Sequence, residues 1–484
     1  MKLHDTLSRT VRDLRPRDGR TFRFYCCGPT VYGPAHIGNF RTFVLQDVFR
    51  RTIELSGVPT RHVRNLTDVD DKTIRDSQAA GQTLVEFTRH WTERFHEDCA
   101  KLNLLPPHEE PGAVGHIPQQ IALIEALMEK GHAYRSEDGS VYYKVSSFGE
   151  YGKLSHLDRR ELRLGAAVAD DEYEKDSVAD FALWKARKPE DGDNWWDSPW
   201  GPGRPGWHLE CSAMCREYLG ETFDLHSGGV DLIFPHHENE IAQSEAATGH
   251  PMADHWFHLT HLLVDGGKMS KSLGNFHTLD QIEAAGFTGN DLRYALISAH
   301  YRQPLNFVAR DKEGKESFPS LAGARQALER IAKFDAALRE RFETQQGTVA
   351  DSTGYDQLRA LPEADRGAFA PAFEALLNDL NTPDALGRVF SAIREGKPAE
   401  LSPDEALREW RGLRFVMEAL GLRVPEPDRE SAEIPEAVRA LAEKRWAARA
   451  AKDWATADSL RAELGELGWE MKDGREGYEL APKG

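Results

Sequence analysis

Apolar and polar positions divide the chain into segments of different period. Phe22-Arg23-Phe24-Tyr25-Cys26-Cys27 is an apolar stretch of strand length, and Gly28-Pro29-Thr30 ends it in a turn. From about Arg41 to Leu55 the pattern is helical. A strand, a turn and a helix N-terminus in that order favour a bound phosphate, through free backbone N–H groups and the helix dipole. We read residues 1–115 as the first half of a parallel-sheet nucleotide-binding domain, bounded by Leu104-Leu105-Pro106-Pro107-His108. Residues 116–200 read as an inserted connective domain that ends in the turn-rich stretch from Asp191 to Trp200. The sheet resumes over 201–310. From 318 to 423 the pattern is helical, rich in Ala, Leu, Arg and Glu with few breakers, and predicts a helical bundle. An acidic, Pro-containing linker, Val424 to Ser431, separates it from a small unit at 436–484. The predicted class is α/β with an insertion and a helical extension.

Composition narrows the setting. A chain of 484 residues can build several domains and a large core. Met1-Lys2-Leu3-His4-Asp5 opens no apolar signal run, and no window approaches about eighteen apolar residues, so secretion and membrane insertion are not expected. Five cysteines, with at least two wanted as reduced ligands below, point to a reducing cytoplasm. The net charge of −18 does not advertise nucleic-acid binding, but phosphate contact depends on local patches. The last unit is much less acidic than the whole, with nine Lys and Arg against ten Asp and Glu. Helical spacing there puts Arg445, Arg449 and Lys452 on one face with Trp446 adjacent, which suits either a solvated face or an RNA-contacting one.

Three constellations carry chemistry. His36-Ile37-Gly38-Asn39 stands where the turn meets the helix. Gly266 to Asn275 is rich in Gly, Ser and Lys, and its Lys268-Met269-Ser270-Lys271-Ser272 presents two ammonium groups that can neutralise a pyrophosphate leaving group. Cys27, Cys211, His236 and Glu240 are all metal-ligand types. With a helix begun at Pro235, His236 and Glu240 fall at i and i+4, whereas His237 has Ile241 at its own i+4 position. Spacing alone leaves open the alternative that the cysteines are small buried hydrophobes and His236-His237-Glu238 a polar helix start. Strand alternation allows only one of Cys26 and Cys27 to be a ligand.

The pair of segments resembles the HIGH and KMSKS signatures of class I aminoacyl-tRNA synthetases. Gly206-Trp207-His208-Leu209-Glu210-Cys211-Ser212-Ala213-Met214 and Phe234-Pro235-His236-His237-Glu238-Asn239-Glu240 resemble the zinc segments of the cysteinyl-tRNA synthetase family. Arg64 to Lys72 is similar to that family's second active-site strand, and Tyr151-Gly152-Lys153-Leu154-Ser155 and Asp180 to Lys185 to its inserted domain. The likeness covers roughly residues 1–425 and continues more weakly to the end. One departure stands out: Asn39 occupies the place of the signature's second histidine, leaving a neutral amide that can still donate a hydrogen bond.

The resemblance implies a Rossmann-like catalytic domain and a C-terminal anticodon-binding unit. It implies ligation of L-cysteine to tRNA(Cys) through a cysteinyl-adenylate, with ATP and Mg2+ as substrate and one Zn2+ per chain held by Cys27, Cys211, His236 and Glu240. Catalysis falls to His36, Asn39, Lys268 and Lys271. ATP binding falls to His36, Asn39, Gly228, Gly229, Asp231 and Lys271; cysteine binding to Gly28, Thr30, Thr67 and Trp207; tRNA binding to Arg445, Trp446, Arg449 and Lys452. We expect a monomer in the cytoplasm with no membrane partner. Two rivals stand beside this reading: a ligase that delivers activated cysteine to a sugar amine, as in the mycothiol pathway, and an inactive synthetase-like protein that binds RNA.

Overall fold

Strand Phe22–Cys26 lies between Thr60–Arg64 on one side and Leu225–Gly229 on the other, with Trp256–Leu259 beyond, and all four run parallel. Cys26 pairs with both Arg64 and Ser227, so the first two strands end at one level and Leu225–Gly229 runs two residues further. Strands buried on both faces explain why Phe22 to Cys27 reads as a nearly continuous apolar run. The computed structural model describes residues 1–157, 180–269, 275–346, 355–425, 435–473 and 478–482. They belong to two units, Met1–Val424 and Pro425–Gly484, and the boundary falls at the predicted linker, most of which lies outside the described residues.

Helix Ile37–Leu55 crosses the sheet almost wholly buried, its apolar side chains sharing one core with Phe22, Phe24, Leu225 and Phe257. Its charged residues are buried too, so each needs a partner. Asp47 accepts from Arg51 at 2.7 Å, Arg293 at 2.5 Å and the Leu105 N–H at 2.8 Å. Among the described residues Arg41 meets no carboxylate; it donates to the carbonyls of Thr260, His261, His300 and Gln303 at 2.7, 2.6, 3.2 and 2.7 Å. These carbonyls stand at the entry to strands Leu262–Val264 and Leu305–Phe307, which pair in parallel. Gly267–Lys268 adds an antiparallel third strand. Lys268 therefore lies on a paired strand, and residues 270–274 of the lysine segment lie outside the described residues.

The insertion forms its own antiparallel sheet, in the order Ala133–Arg135, Val141–Tyr143, Phe181–Ala186, Gly203–Pro205. It ends at Pro205, a few residues past the Trp200 edge read from the sequence. Helix Trp207–Leu219 follows at once and carries Cys211. The described residues of 318–423 are mainly helical, including Pro319–Gln346, Thr382–Glu395 and Pro403–Leu420. Their core is continuous with that of the sheet domain, since Leu321, Phe373, Leu413 and Val416 join the same cluster as Phe24 and Val44. The C-terminal unit consists of helices Glu436–Ala450 and Trp454–Glu466 and the hairpin Trp469–Asp473 with Tyr478–Pro482, packed around Val438, Ala442, Leu464 and Trp469. Among the described residues no helix is long and apolar enough to cross a membrane.

Candidate active site

The carboxyl ends of the parallel strands, where α/β sheets hold ligands, bring the metal-ligand types together. Cys27 follows strand Phe22–Cys26, and Cys211 comes from the helix beside it. His236 and Glu240 come from a kinked turn, Ile233–His237, that runs into helix Glu238–Thr248. All four are buried and their donor atoms lie within 4.8 Å of one another. The two thiols are 3.9 Å apart, and His236 Nε2 stands 3.0 Å from Glu240 Oε1. Cys26 points the other way, into the main core, as alternation required.

What lies behind the quartet tests whether a metal fits. The second ring nitrogen of His236, Nδ1, is 2.9 Å from His208 Nδ1, and Glu240 Oε2 is 2.8 Å from His226 Nε2. The far atoms of His236 and Glu240 are thus held in place, as well-built metal sites require. Two thiols, an imidazole and a carboxylate suit a borderline-soft, tetrahedral cation such as zinc. Burial works against charge on both Glu240 and His236. Even so, their attraction, aided by His226 on the first and by the Cys211 thiol on the second, holds Glu240 below the usual carboxylate range and His236 above the usual imidazole range.

A second set overlaps the first: Cys27, His226, His237 and Glu240 also place donor atoms within 4.8 Å. His237 Nε2 comes to 3.3 Å from Cys27 Sγ, a proximity that i, i+4 spacing did not reveal. This set has one thiol fewer, and its His226 Nδ1 is buried without a hydrogen-bond partner, so a metal on Nε2 would leave the far nitrogen of that ring unsupported. The first set is the better seat for zinc. His237 is kept neutral, well below the ordinary imidazole range, by burial and the surrounding imidazoles, with His258 bonded to its Nδ1 at 2.7 Å.

Beside the metal ligands lie the residues expected to handle cysteine. Gly28 approaches the neighbouring strand so closely that a Cβ there would sit 1.7 Å from the Asn65 carbonyl oxygen. Thr30 bridges to Thr67 in parallel pairing, and Thr67 is buried. Trp207 is 40% exposed and stacks on the His236 ring at 4.3 Å, beside the metal-ligand types.

His36 caps helix Ile37–Leu55: its Nδ1 accepts from the Asn39 N–H, and the Asn39 side chain accepts from the His36 N–H, both at 3.1 Å. The amide in place of the signature histidine therefore completes a capping box. His36 also bridges to Thr278, and a Cβ on Gly38 would lie 2.8 Å from Met269 Cε. The two signature segments, more than two hundred residues apart, thus touch. Lys268 is exposed at the edge of this contact; Lys271 lies outside the described residues. Gly228 and Gly229 end strand Leu225–Gly229, with Asp231 exposed in the turn that follows.

Residues 14–315 match the family described as tRNA synthetases class I (C) catalytic domain, and residues 431–477 match the cysteinyl-tRNA ligase anticodon binding domain. A cysteine–tRNA ligase of Opitutus terrae is 52% identical over 100% of this chain and 99% of its own length. The chain belongs to the cysteine–tRNA ligase family. A Chlamydia caviae cysteine–tRNA ligase is 41% identical over 98% of this chain and 96% of its own. Solved structures share the fold at 13–14% identity. They include Mycobacterium tuberculosis methionyl-tRNA synthetase with methionyl-adenylate (TM-score 0.54, 83% of this chain and 89% of that one) and the Agrobacterium radiobacter LeuRS–tRNA–LeuAMS complex (0.57, 86% and 85%).

Within this class I synthetase family member the anticodon-binding unit corrects one expectation. Arg445 is only 4% exposed, in the stripe of Val438 and Ala442, whereas Arg449 and Lys452 are exposed and Trp446 is partly buried against Tyr478. Helix Glu436–Ala450 has ended before Lys452. The three cations therefore do not form one exposed face, because the face that carries Arg445 packs inward. Sequence reasoning also missed His208, His226, His237, His258 and Arg41. Only His208 and His237 had a signal, as neighbours of expected site residues in the quoted segments.

Proposed function

We propose that this chain attaches L-cysteine to tRNA(Cys) in two steps. The cysteine carboxylate attacks the ATP α-phosphorus, the bond to the β-phosphate bridging oxygen breaks, and pyrophosphate leaves. A terminal ribose hydroxyl of tRNA then attacks the acyl carbon of the adenylate and AMP departs. Cys27, Cys211, His236 and Glu240 would hold a zinc ion, which when bound supplies a soft Lewis acid for the substrate thiolate; a serine hydroxyl is a far poorer ligand. Discrimination of that kind exceeds what a hydrophobic pocket achieves between near-isosteres.

The protein's own groups position and neutralise. His36, at the head of a helix, would contact the phosphates, and Lys268 and Lys271 would take up the charge of the leaving pyrophosphate. Gly28, Thr30, Thr67 and Trp207 would frame the amino acid, and Gly228, Gly229 and Asp231 the adenosine. Arg449, Lys452 and Trp446 would contact tRNA, and a monomer suffices for all of this. The observation that carries the reading is the convergence of a four-donor soft metal set and the paired signature segments on the same strand ends. The match of residues 431–477 to an anticodon-binding family supports tRNA, rather than a sugar amine, as acceptor. Aminoacylation of purified tRNA(Cys), alongside cysteine-dependent pyrophosphate exchange, tests it. Exchange without transfer to tRNA would support the sugar-amine rival, and loss of both would support the inactive one.

A further inference from the structure

Among the described residues the exposed aromatic rings are those of Tyr32, Trp207 and Trp454. Tyr32 stands inside the site, two residues past Thr30 and four before His36. Its backbone is held: the Val31 N–H donates to the Thr67 carbonyl at 3.1 Å, the Tyr32 N–H donates to the Thr30 carbonyl at 3.2 Å, and the Val31 side chain is buried. The exposed ring therefore projects from a fixed ledge. Beside it lies Lys72, whose Nζ is 5.6 Å from the ring centroid. Lys72 is exposed on the first turn of helix Asp71–Ala79, which a capping box between Asp70 and Thr73 secures. The flanking carboxylates are engaged elsewhere: Asp70 accepts from the Thr73 N–H at 2.7 Å, and Asp71 pairs with Lys185 and Arg204. Arg75, one turn along the same helix, is exposed and bonds to its neighbour Asp76 at 2.7 Å. An exposed pair of that kind is worth little and is open to exchange.

Cations over aromatic rings are common in proteins, and others here belong to the core: Arg366 lies over Phe373 and Phe415, both buried. Tyr32 differs because its ring also meets solvent. An exposed ring beside cations is the combination that holds single-stranded nucleic acid, since a base stacks on the ring while the adjoining phosphate meets the charge. Paired RNA keeps its bases stacked on one another; an unpaired end can offer one. We propose that Tyr32, with Lys72 and Arg75, seats the unpaired 3′ end of tRNA for the transfer step, the ring stacking a base and the two cations meeting its phosphates. The proposal rests on the aminoacylation reading and names where the acceptor end lies. Thr30 belongs to the proposed frame for cysteine and His36 to the proposed phosphate contact, so the ledge joins the two parts of the site that the acceptor strand must reach.

The test separates the two steps on the full zinc-loaded chain, using tRNA(Cys) and the same tRNA cut back by its unpaired 3′ nucleotides. Tyr32→Ala should lower kcat/KM for tRNA(Cys) about 5- to 100-fold, the loss of one stacked base, while cysteine-dependent pyrophosphate exchange keeps its KM for cysteine and for ATP. Tyr32→Phe and Tyr32→Trp keep a ring and should stay within about threefold of wild type. The shortened tRNA, added as a competitor, should show the same inhibition constant with wild type and with Tyr32→Ala, because it lacks the nucleotides that stack. Lys72→Ala should flatten the slope of log affinity for intact tRNA(Cys) against log salt by about 0.7, the value for one phosphate of a single strand. Transfer by Tyr32→Ala equal to that of wild type would overturn the proposal. So would an equal loss of exchange, which would make the ring part of the cysteine or ATP site, or a weakened hold on the shortened tRNA, which would put the contact elsewhere. Should Tyr32→Ala fail to fold, Lys72→Ala decides: an unchanged salt slope contradicts the seat, and a flattened slope that disappears with the shortened tRNA supports it. A wild type that performs exchange but never charges tRNA(Cys) would refute the aminoacylation reading itself.

Discussion

Replacing Arg41 by Lys probes how the two signature segments are kept in register. The guanidinium is buried, and burial lowers it to about 10, so it stays charged at neutral pH while donating to four carbonyls. An ammonium on a shorter fork cannot span all four. If it keeps two, two hydrogen bonds to a charged group are lost at about 1.5–3 kcal/mol each. That sets a destabilisation of about 3–6 kcal/mol, large against the ordinary effect of a point change. The four carbonyls lead directly into the strands beside Lys268, so the loss should also be felt in catalysis. Chemical denaturation followed by tryptophan fluorescence should show a lowered midpoint. Pyrophosphate exchange should slow by about tenfold, a misplacement effect of modest size, with the KM for cysteine unchanged. A midpoint and exchange rate both equal to those of wild type would refute the pinning role.

Two further outcomes follow from buried and exposed charge. Asp47→Ala removes the common partner of Arg51 and Arg293 and should cost about 3–5 kcal/mol by leaving a buried cation uncompensated; denaturation midpoints within experimental error of wild type would contradict this. Arg449→Ala with Lys452→Ala, both exposed, should weaken tRNA binding and flatten its salt dependence by about two counterions, with cysteine activation untouched; an unchanged salt slope would mean that these cations face solvent alone.

Much of the candidate site was readable from residue types because few side chains can ligate a soft metal. Cys27, Cys211, His236 and Glu240 were found by ligand class and by resemblance, and alternation correctly set Cys27 apart from Cys26. The histidines behind them were not. His237 was passed over because i, i+4 reasoning assumes a regular helix, whereas the chain is extended at Phe234 (φ −139°, ψ 130°) just before the ligands. His226 sits on a strand far from Glu240 in sequence order, and nothing local marks it as that carboxylate's partner. For Arg445 the period was read correctly but not its direction: spacing groups residues on a face without saying whether the face meets core or water. The shared core of the sheet and the helices of 318–423 was likewise invisible, since a change of pattern marks a change of element and not a boundary between cores.

The account's central claim is that a metal held by Cys27, Cys211, His236 and Glu240 selects the substrate by its sulfur. The direct measurement is pyrophosphate exchange with cysteine and with serine, on protein as purified and on Cys211→Ser, with zinc determined in the same samples. The account predicts about one zinc per chain, expected of a set of this kind, and exchange with cysteine alone. In Cys211→Ser the KM for cysteine should rise far more than that for ATP as zinc is lost. Zinc-free protein that still prefers cysteine to serine, or a Cys211→Ser enzyme whose two KM values rise together, would contradict it.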